Sequence, residues 1–172
     1  WYRATVSHNT VVVDGVSQAG VAANGGLFLA DEQVSAASAW TDDAYEGVIH
    51  RRLMVLRPGF LVVADLLDSD DGRTHRFDWL YHNRGTGVAS PSAETPGLLP
   101  DGQGLEYLED VRQGMTNGPI RATVSLSEGN VDVMVSPQAG SRVLVGTGVG
   151  ESVTDRIPLI CVSREGTSAQ FS

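Results

Sequence analysis

The sequence contains no lysine: all twelve of its basic residues are arginine. Twenty-one acidic residues outweigh them and leave a formal net charge of −9. That balance argues against a nucleic-acid or anionic-membrane surface, because the field of the whole chain repels phosphate, although a local cationic pocket survives such a field. Arginine grips carboxylate or sulfate through two parallel hydrogen bonds, which a lysine cannot reproduce. The same arginine usage also follows from a biased genome. Cysteine is nearly absent: Cys161 stands alone, so no intrachain disulfide forms and the redox compartment stays open. It lies in the apolar run 157–162 and is expected to pack as a small buried hydrophobe. No apolar run approaches the roughly 20 residues that cross a bilayer as a helix. No basic-then-apolar leader opens the sequence. It begins at Trp1 without Met and stops at Ser172, and both ends read as cuts in a longer polypeptide.

What is present fits one soluble domain. The 172 residues suffice for a real core, and 41% hydrophobic against 19% charged residues is a globular balance. Helical periodicity is missing before Ser90, where short β-rich runs alternate with turn signals. Strands are expected at 10–13, 48–56, 60–67 and 74–82, with Leu27-Phe28-Leu29-Ala30 leading to Asp31-Glu32, Arg57-Pro58-Gly59 closing a hairpin and 68–72 forming the next turn. Residues 20–26 read as a flexible link. The alanine-rich 33–40 favours helix by propensity alone, and tertiary context can make it a strand. Residues 90–104, rich in Pro, Gly and Ser, read as a long surface loop. Strands follow at 105–112, 121–126, 131–135 and 142–145, then a Gly-rich loop at 146–152, then strands at 158–163 and 168–171. The expected fold is an all-β antiparallel sandwich of many short strands in a single domain covering residues 1–172.

Three local patterns fail on chemistry. Gly146-Thr147-Gly148-Val149-Gly150 lacks the Lys and the helix of a phosphate cradle. Gly15-Val16-Ser17-Gln18-Ala19 lacks the helix behind a nucleophile elbow. The acidic cluster 68–71 starts like a calcium loop, but a Trp stands where the closing Glu belongs, so it reads as a solvated turn.

The stretch Ser7-His8-Asn9-Thr10-Val11-Val12-Val13-Asp14-Gly15 carries more. Its β-branched run is extended and Asp14-Gly15 closes it. An imidazole and an amide therefore stand at one end of a strand; a structural His beside a hairpin is the plain alternative. The four histidines, His8, His50, His75 and His82, all fall in or beside expected strands of the first half. Ligands from different strands can converge on zinc, although no HxH or HxxxH pair occurs.

His-Asn-Thr-Val-Val-Val-Asp-Gly with Ser17-Gln18 resembles the opening of the C-terminal β-domain of heparinase II/III-like polysaccharide lyases, a group that includes heparin and alginate lyases. Two later stretches fit the same pattern: Ala44-Tyr45-Glu46-Gly47-Val48-Ile49-His50-Arg51-Arg52 and His75-Arg76-Phe77-Asp78-Trp79-Leu80-Tyr81-His82. Ile157-Pro158-Leu159-Ile160 and Ala169-Gln170-Phe171 resemble the closing strands.

The resemblance implies part of a lyase that cleaves a uronic-acid-containing glycan, such as a glycosaminoglycan or alginate, by β-elimination. Tyr45 would be the acid or part of an acid/base pair, although a half-buried sandwich tyrosine is its plain reading. His8 and Asn9 would lie at the cleft. Arg51, Arg52 or Arg84 would supply the charge match. The resemblance also implies a structural zinc on His8, Asp31 and either His82 or His75, with Asp42 and Asp43 competing for the carboxylate place. His50 would then be a core or supporting residue. The implied partners are an acidic polysaccharide and an N-terminal α/α-toroid of the same protein, which this sequence lacks; nucleic acid and membrane are not expected. A secreted or periplasmic location goes with that reading. The alternative is a non-catalytic carbohydrate-binding or structural module.

Overall fold

The computed structural model describes residues 2–98 and 101–172. Among the described residues, fourteen strands and two single-turn 3-10 segments, Thr5–Ser7 and Leu105–Tyr107, make up the regular structure, and no α-helix occurs. In chain order the strands are β1 (Val11–Val13), β2 (Asn24–Ala30), β3 (Ser35–Tyr45), β4 (Val48–Arg57), β5 (Phe60–Ser69), β6 (His75–His82) and β7 (Gly87–Ala89). They continue with β8 (Thr95–Pro96), β9 (Glu109–Thr116), β10 (Ile120–Ser125), β11 (Asn130–Val135), β12 (Ser141–Val149), β13 (Arg156–Gly166) and β14 (Ser168–Phe171). The all-β antiparallel class expected from the turn-separated runs is the class observed.

The chain divides into two compact units. The first takes in the chain up to Ser17 and Arg76–Arg164; the second takes in Gln18–His75 and Glu165–Ser172. The first unit holds a six-stranded sheet in the order β1-β6-β13-β12-β9-β8 and a three-stranded sheet in the order β11-β10-β7. Strand β1 pairs antiparallel with β6, placing Val11, Val12 and Val13 opposite Trp79, Asp78 and Phe77. All three valines are buried, which is why the run is continuously apolar rather than alternating. On one face Val12, Leu80, Leu144 and Leu159 gather with Val6 and Leu105, each contributed by a 3-10 segment. Cys161 lies in this core, and burial pushes its thiol well above the ordinary range. It packs as expected and is no nucleophile.

The second unit is built on one five-stranded sheet, in the order β14-β5-β4-β3-β2. Its hairpins have two-residue turns: Glu46-Gly47 joins β3 to β4, and Pro58-Gly59 joins β4 to β5. Both turn glycines have left-handed φ, 72° and 87°, where an L side chain is strained. Toward the Pro58-Gly59 end the sheet is apolar and open to solvent. Leu53 and Met54 are successive and so face opposite ways, yet they are 38% and 40% exposed. Phe28, at 82%, is the most exposed of these residues.

The alanine-rich segment takes the strand alternative, because β3 is paired on both sides, by β2 and by β4. Several expectations shift. The expected link at 20–26 already contains the start of β2. Residues 105–107 form a 3-10 turn, and the strand starts at Glu109. The Gly-rich segment expected as a loop extends β12 to Val149. Gly146 serves close packing: a Cβ there would lie 2.7 Å from the Glu109 carbonyl, beside a register shift between Val145 and Thr147. Strand β8 lies inside the expected loop at 90–104.

The two hairpin glycines make a matched test. A Cβ on Gly47 would come within 2.4 Å of the Asp71 carboxylate, whereas one on Gly59 meets nothing within 4 Å. In urea unfolding, Gly59→Ala is expected to cost about 1–2 kcal/mol from backbone strain alone. Gly47→Ala should cost measurably more, and equal losses would contradict the crowding.

Candidate functional site

In the first unit the Thr5–Ser7 turn ends at His8, whose N–H donates to the Thr5 carbonyl at 3.0 Å. The Thr10 N–H then donates to the His8 carbonyl at 2.9 Å, so the chain turns tightly around Asn9 before β1 begins. The Asn9 side chain reaches across to the last residue of β6. Its Oδ1 accepts from the His82 N–H at 2.6 Å and its Nδ2 donates to the His82 carbonyl at 3.2 Å. Leu80 N–H to Thr10 carbonyl, at 2.8 Å, is the backbone contact just before it. The amide thus carries the β1–β6 pairing one step further than the backbone does.

His82 donates from Nε2 to the Val6 carbonyl at 2.8 Å, which leaves the lone pair on Nδ1. Burial pulls its pKa below the ordinary value; the Val6 bond opposes this and the nearby His8 charge adds to it. Burial therefore favours the neutral form of the His82 ring. His8 is exposed and lines an open hollow of about 250 Å³ together with Tyr2, Ser7, Arg84, Glu151 and Asp155. The structure thus brings together four residues singled out from the sequence, His8, Asn9, His82 and Arg84.

The second unit holds Asp31, Tyr45, Arg51, Arg52 and His75. Tyr45 ends β3 beside the Gly47 turn and is only 6% exposed. Asp71 fills the space beneath that turn. It accepts from the Arg73 backbone N–H and from Ser69 Oγ, each at 2.8 Å, from Arg73 Nε, and from His75 Nε2 at 3.4 Å. These bonds, led by the Arg73 N–H, hold its carboxyl well below the usual range. Asp31 closes the β2–β3 turn, where Oδ1 accepts the N–H groups of Gln33 and Val34 at 2.7 and 2.8 Å. Those bonds lower its pKa.

Each arginine assigned to substrate has an acidic partner. Arg51 meets Asp68 at 2.6 Å with both side chains about half exposed. Arg84 pairs with Glu151 at the surface. Arg52 and His50 converge on Asp65, whose side chain is fully buried: His50 Nε2 and Arg52 Nε donate to Oδ1 at 2.7 Å each, and Arg52 Nη2 donates to Oδ2 at 2.8 Å. Burial alone would raise the Asp65 pKa, but the hydrogen bonds and charges of His50 and Arg52 outweigh it and hold the carboxyl below its ordinary value.

Of the zinc donors assigned by resemblance, His8 and His82 belong to the first unit, Asp31 and His75 to the second. The His82 tautomer suits a metal ligand, since histidines that bind metal through one nitrogen donate from the other to a carbonyl. Asp31 Oδ1 is occupied by its own turn. Within neither unit do three His, Cys, Asp or Glu side chains form a metal cluster among the described residues.

The sequence reading missed Asp65 and Glu151. Asp65 was within reach of it: counting back from the Arg57↔Phe60 closing pair of the hairpin sets Arg52 directly opposite Asp65. Glu151 lies far along the chain from Arg84, and no local pattern links them.

The family model described as "Heparinase II/III-like, C-terminal" matches residues 1–158. Among solved structures, the chain is similar to the heparan sulfate lyase HepC from Pedobacter heparinus, with 12% identity and a TM-score of 0.60 over 99% of this chain and 24% of that one. A mutant of the same lyase gives a TM-score of 0.62 with the same identity and coverage. At such identity the likeness shows the fold. The chain spans about a quarter of the length of these structures. No curated protein matches it.

His82 supplies a pH test. Its folded pKa lies below its unfolded value, so the unfolded state takes up the proton first as pH falls. Its contribution to stability is complete above the unfolded value of about 6.5 and is lost as pH falls toward the folded value. Urea midpoints from pH 8 to pH 5 should fall for the wild type and fall less for His82→Gln. Parallel curves would contradict the assignment.

Proposed function

Because the chain belongs to the heparinase II/III-like C-terminal family, we propose that it forms part of a polysaccharide lyase cleaving a uronic-acid-containing glycan by β-elimination. The observation that carries this reading is the hollow in which His8, from the family's opening motif, stands beside Arg84. The substrate class is a heparan-type glycosaminoglycan or alginate. The remainder of the active cleft belongs to an N-terminal α/α-toroid of the same protein. The enzyme works outside the cytoplasm, in the periplasm or the medium, where such polymers are met.

The reaction sets three requirements: the sugar carboxylate must be neutralised, the C5 proton removed and the departing 4-oxygen protonated. Arg84 meets the carboxylate, and His8 either polarises it or ligates metal. Asn9 acts on His8 through the backbone, since its amide is bonded to His82. Arg51 and Arg52 add positive charge beside their acidic partners. Tyr45 protonates the leaving oxygen. A structural zinc would be held by His8, Asp31 and either His82 or His75; it would add stability by coupling metal binding to folding.

A second reading, a glycan-contacting module without chemistry of its own, is favoured by the burial of Tyr45. Tyr45→Phe in the intact enzyme separates the two. If the phenol is the acid, turnover falls by roughly 10²- to 10⁴-fold, while KM changes little because the proton matters in the transition state. Absorbance of the unsaturated uronate product reads this from heparan sulfate and alginate. Wild-type turnover in a folded Tyr45→Phe enzyme would assign the chemistry to the rest of the protein.

The zinc proposal has its own measurement. Elemental analysis of protein prepared without chelator should find about one equivalent, and His8→Ala should lose it. A metal-free wild type would remove the zinc; an equivalent retained in His8→Ala would discard that ligand.

A further inference from the structure

In the hollow of the first unit, Arg84 already holds an anion supplied by the chain. Its Nη2 meets Oε1 of Glu151, with the two side chains 79% and 70% exposed. The main chain of Glu151 is held on both sides. Its N–H donates to Asp155 Oδ2 at 2.7 Å, and its carbonyl accepts the Tyr2 hydroxyl at 3.0 Å. The preceding Gly150 N–H donates to the Asp155 carbonyl at 2.8 Å. A Cβ on Gly150 would lie 2.1 Å from Asp155 Oδ2, so the turn closes in this form only around glycine. Asp155, the other acid in the hollow, thus has its carboxylate committed to the turn. The turn delivers the Glu151 carboxylate to Arg84, beside His8.

An exposed pair of this kind is worth at most about a fivefold factor in an equilibrium constant. A uronate carboxylate or a glycan sulfate offers Arg84 the same kind of acceptor at similar strength. Resting on the lyase reading above, we propose that Glu151 is a resident stand-in for the substrate anion, which an acidic glycan displaces from Arg84. A neutral glycan has nothing to put in its place. The pair then discriminates by charge: an acidic sugar exchanges one carboxylate for another, and a neutral one gains nothing at Arg84 whether or not the pair is present.

The test titrates the intact protein by calorimetry with tetrasaccharides of heparan sulfate, alginate and, as a neutral control, cellulose. Glu151→Gln should tighten binding of the acidic tetrasaccharides about two- to fivefold and leave the neutral one unchanged. Arg84→Gln should weaken acidic binding. In the Arg84→Gln background, Glu151→Gln should bring no further gain, because displacement needs the arginine. A gain of equal size with and without Arg84 would mean that Glu151 merely repels anions through space, and would overturn the proposal. No gain in Glu151→Gln, with Arg84→Gln still weakening binding, would overturn it and leave the lyase reading in place. Failure of the intact wild-type protein to bind either acidic tetrasaccharide would overturn both.

Discussion

The position of His8 depends on one side-chain amide. Asn9 receives the His82 N–H and donates to the His82 carbonyl, the two bonds a strand neighbour would make. The backbone pairing of β1 with β6 runs only from Val11 to Val13, and three residue pairs are a short anchor. The amide lengthens that anchor without a further backbone rung, so the chain is free to turn at His8 and leave the sheet. Behind it, the Nε2 of His82 fixes the Val6 carbonyl, and Val6 is part of the core. Two polar side chains thus tie the opening segment to β6 and leave the imidazole of His8 facing solvent. An asparagine suits this place because it carries a donor and an acceptor on one planar group.

Charge is distributed by the same economy. In a chain with a formal net charge of −9, an arginine seldom lacks an acid nearby, and those assigned to substrate differ in what their partner costs to remove. Arg52 is bound to a carboxylate with no exposed surface, and stripping such a pair leaves a buried charge uncompensated. Its place is structural first. Arg51 and Arg84 sit in exposed pairs that solvent screens, and they exchange partners cheaply. Only Arg84 of the three lines the hollow with His8. Burial and pairing therefore rank arginines that the sequence presents as equivalent.

Legibility followed the range of the interactions. Strands β4, β5 and β6 and the hairpin between β4 and β5 were readable because β-branched residues in β4 and β5, alternating aromatics in β6 and a Pro-Gly turn act within a few residues. The register of that hairpin even contained the Arg52–Asp65 pair for a reader who counted from the turn. The Gly-rich end of β12 misled because glycine marks both flexible loops and strands that another backbone approaches closely, and Gly146 is the second case. The alanine-rich β3 stayed open between helix and strand: propensity speaks for helix, and pairing on both edges overrules it. In the candidate site, the His8-Asn9 motif was legible from its place before a strand. Its connection to His82 and the approach of Glu151 to Arg84 arise across 73 and 67 residues, where sequence carries no register.

The account stands on the amide of Asn9 acting as a strand rung that holds His8 in place. Hydrogen exchange at the His82 amide in the wild type and in Asn9→Ala measures that directly, with the Leu80 amide as an internal reference for the β1–β6 pairing. The predicted result is that His82 loses protection by at least about tenfold in Asn9→Ala, the factor that corresponds to losing a hydrogen bond of about 1.4 kcal/mol, while the Val12 and Val13 core signals stay unchanged. Equal protection of His82 in both proteins would contradict it, and would release the Asn9 side chain for contact with substrate.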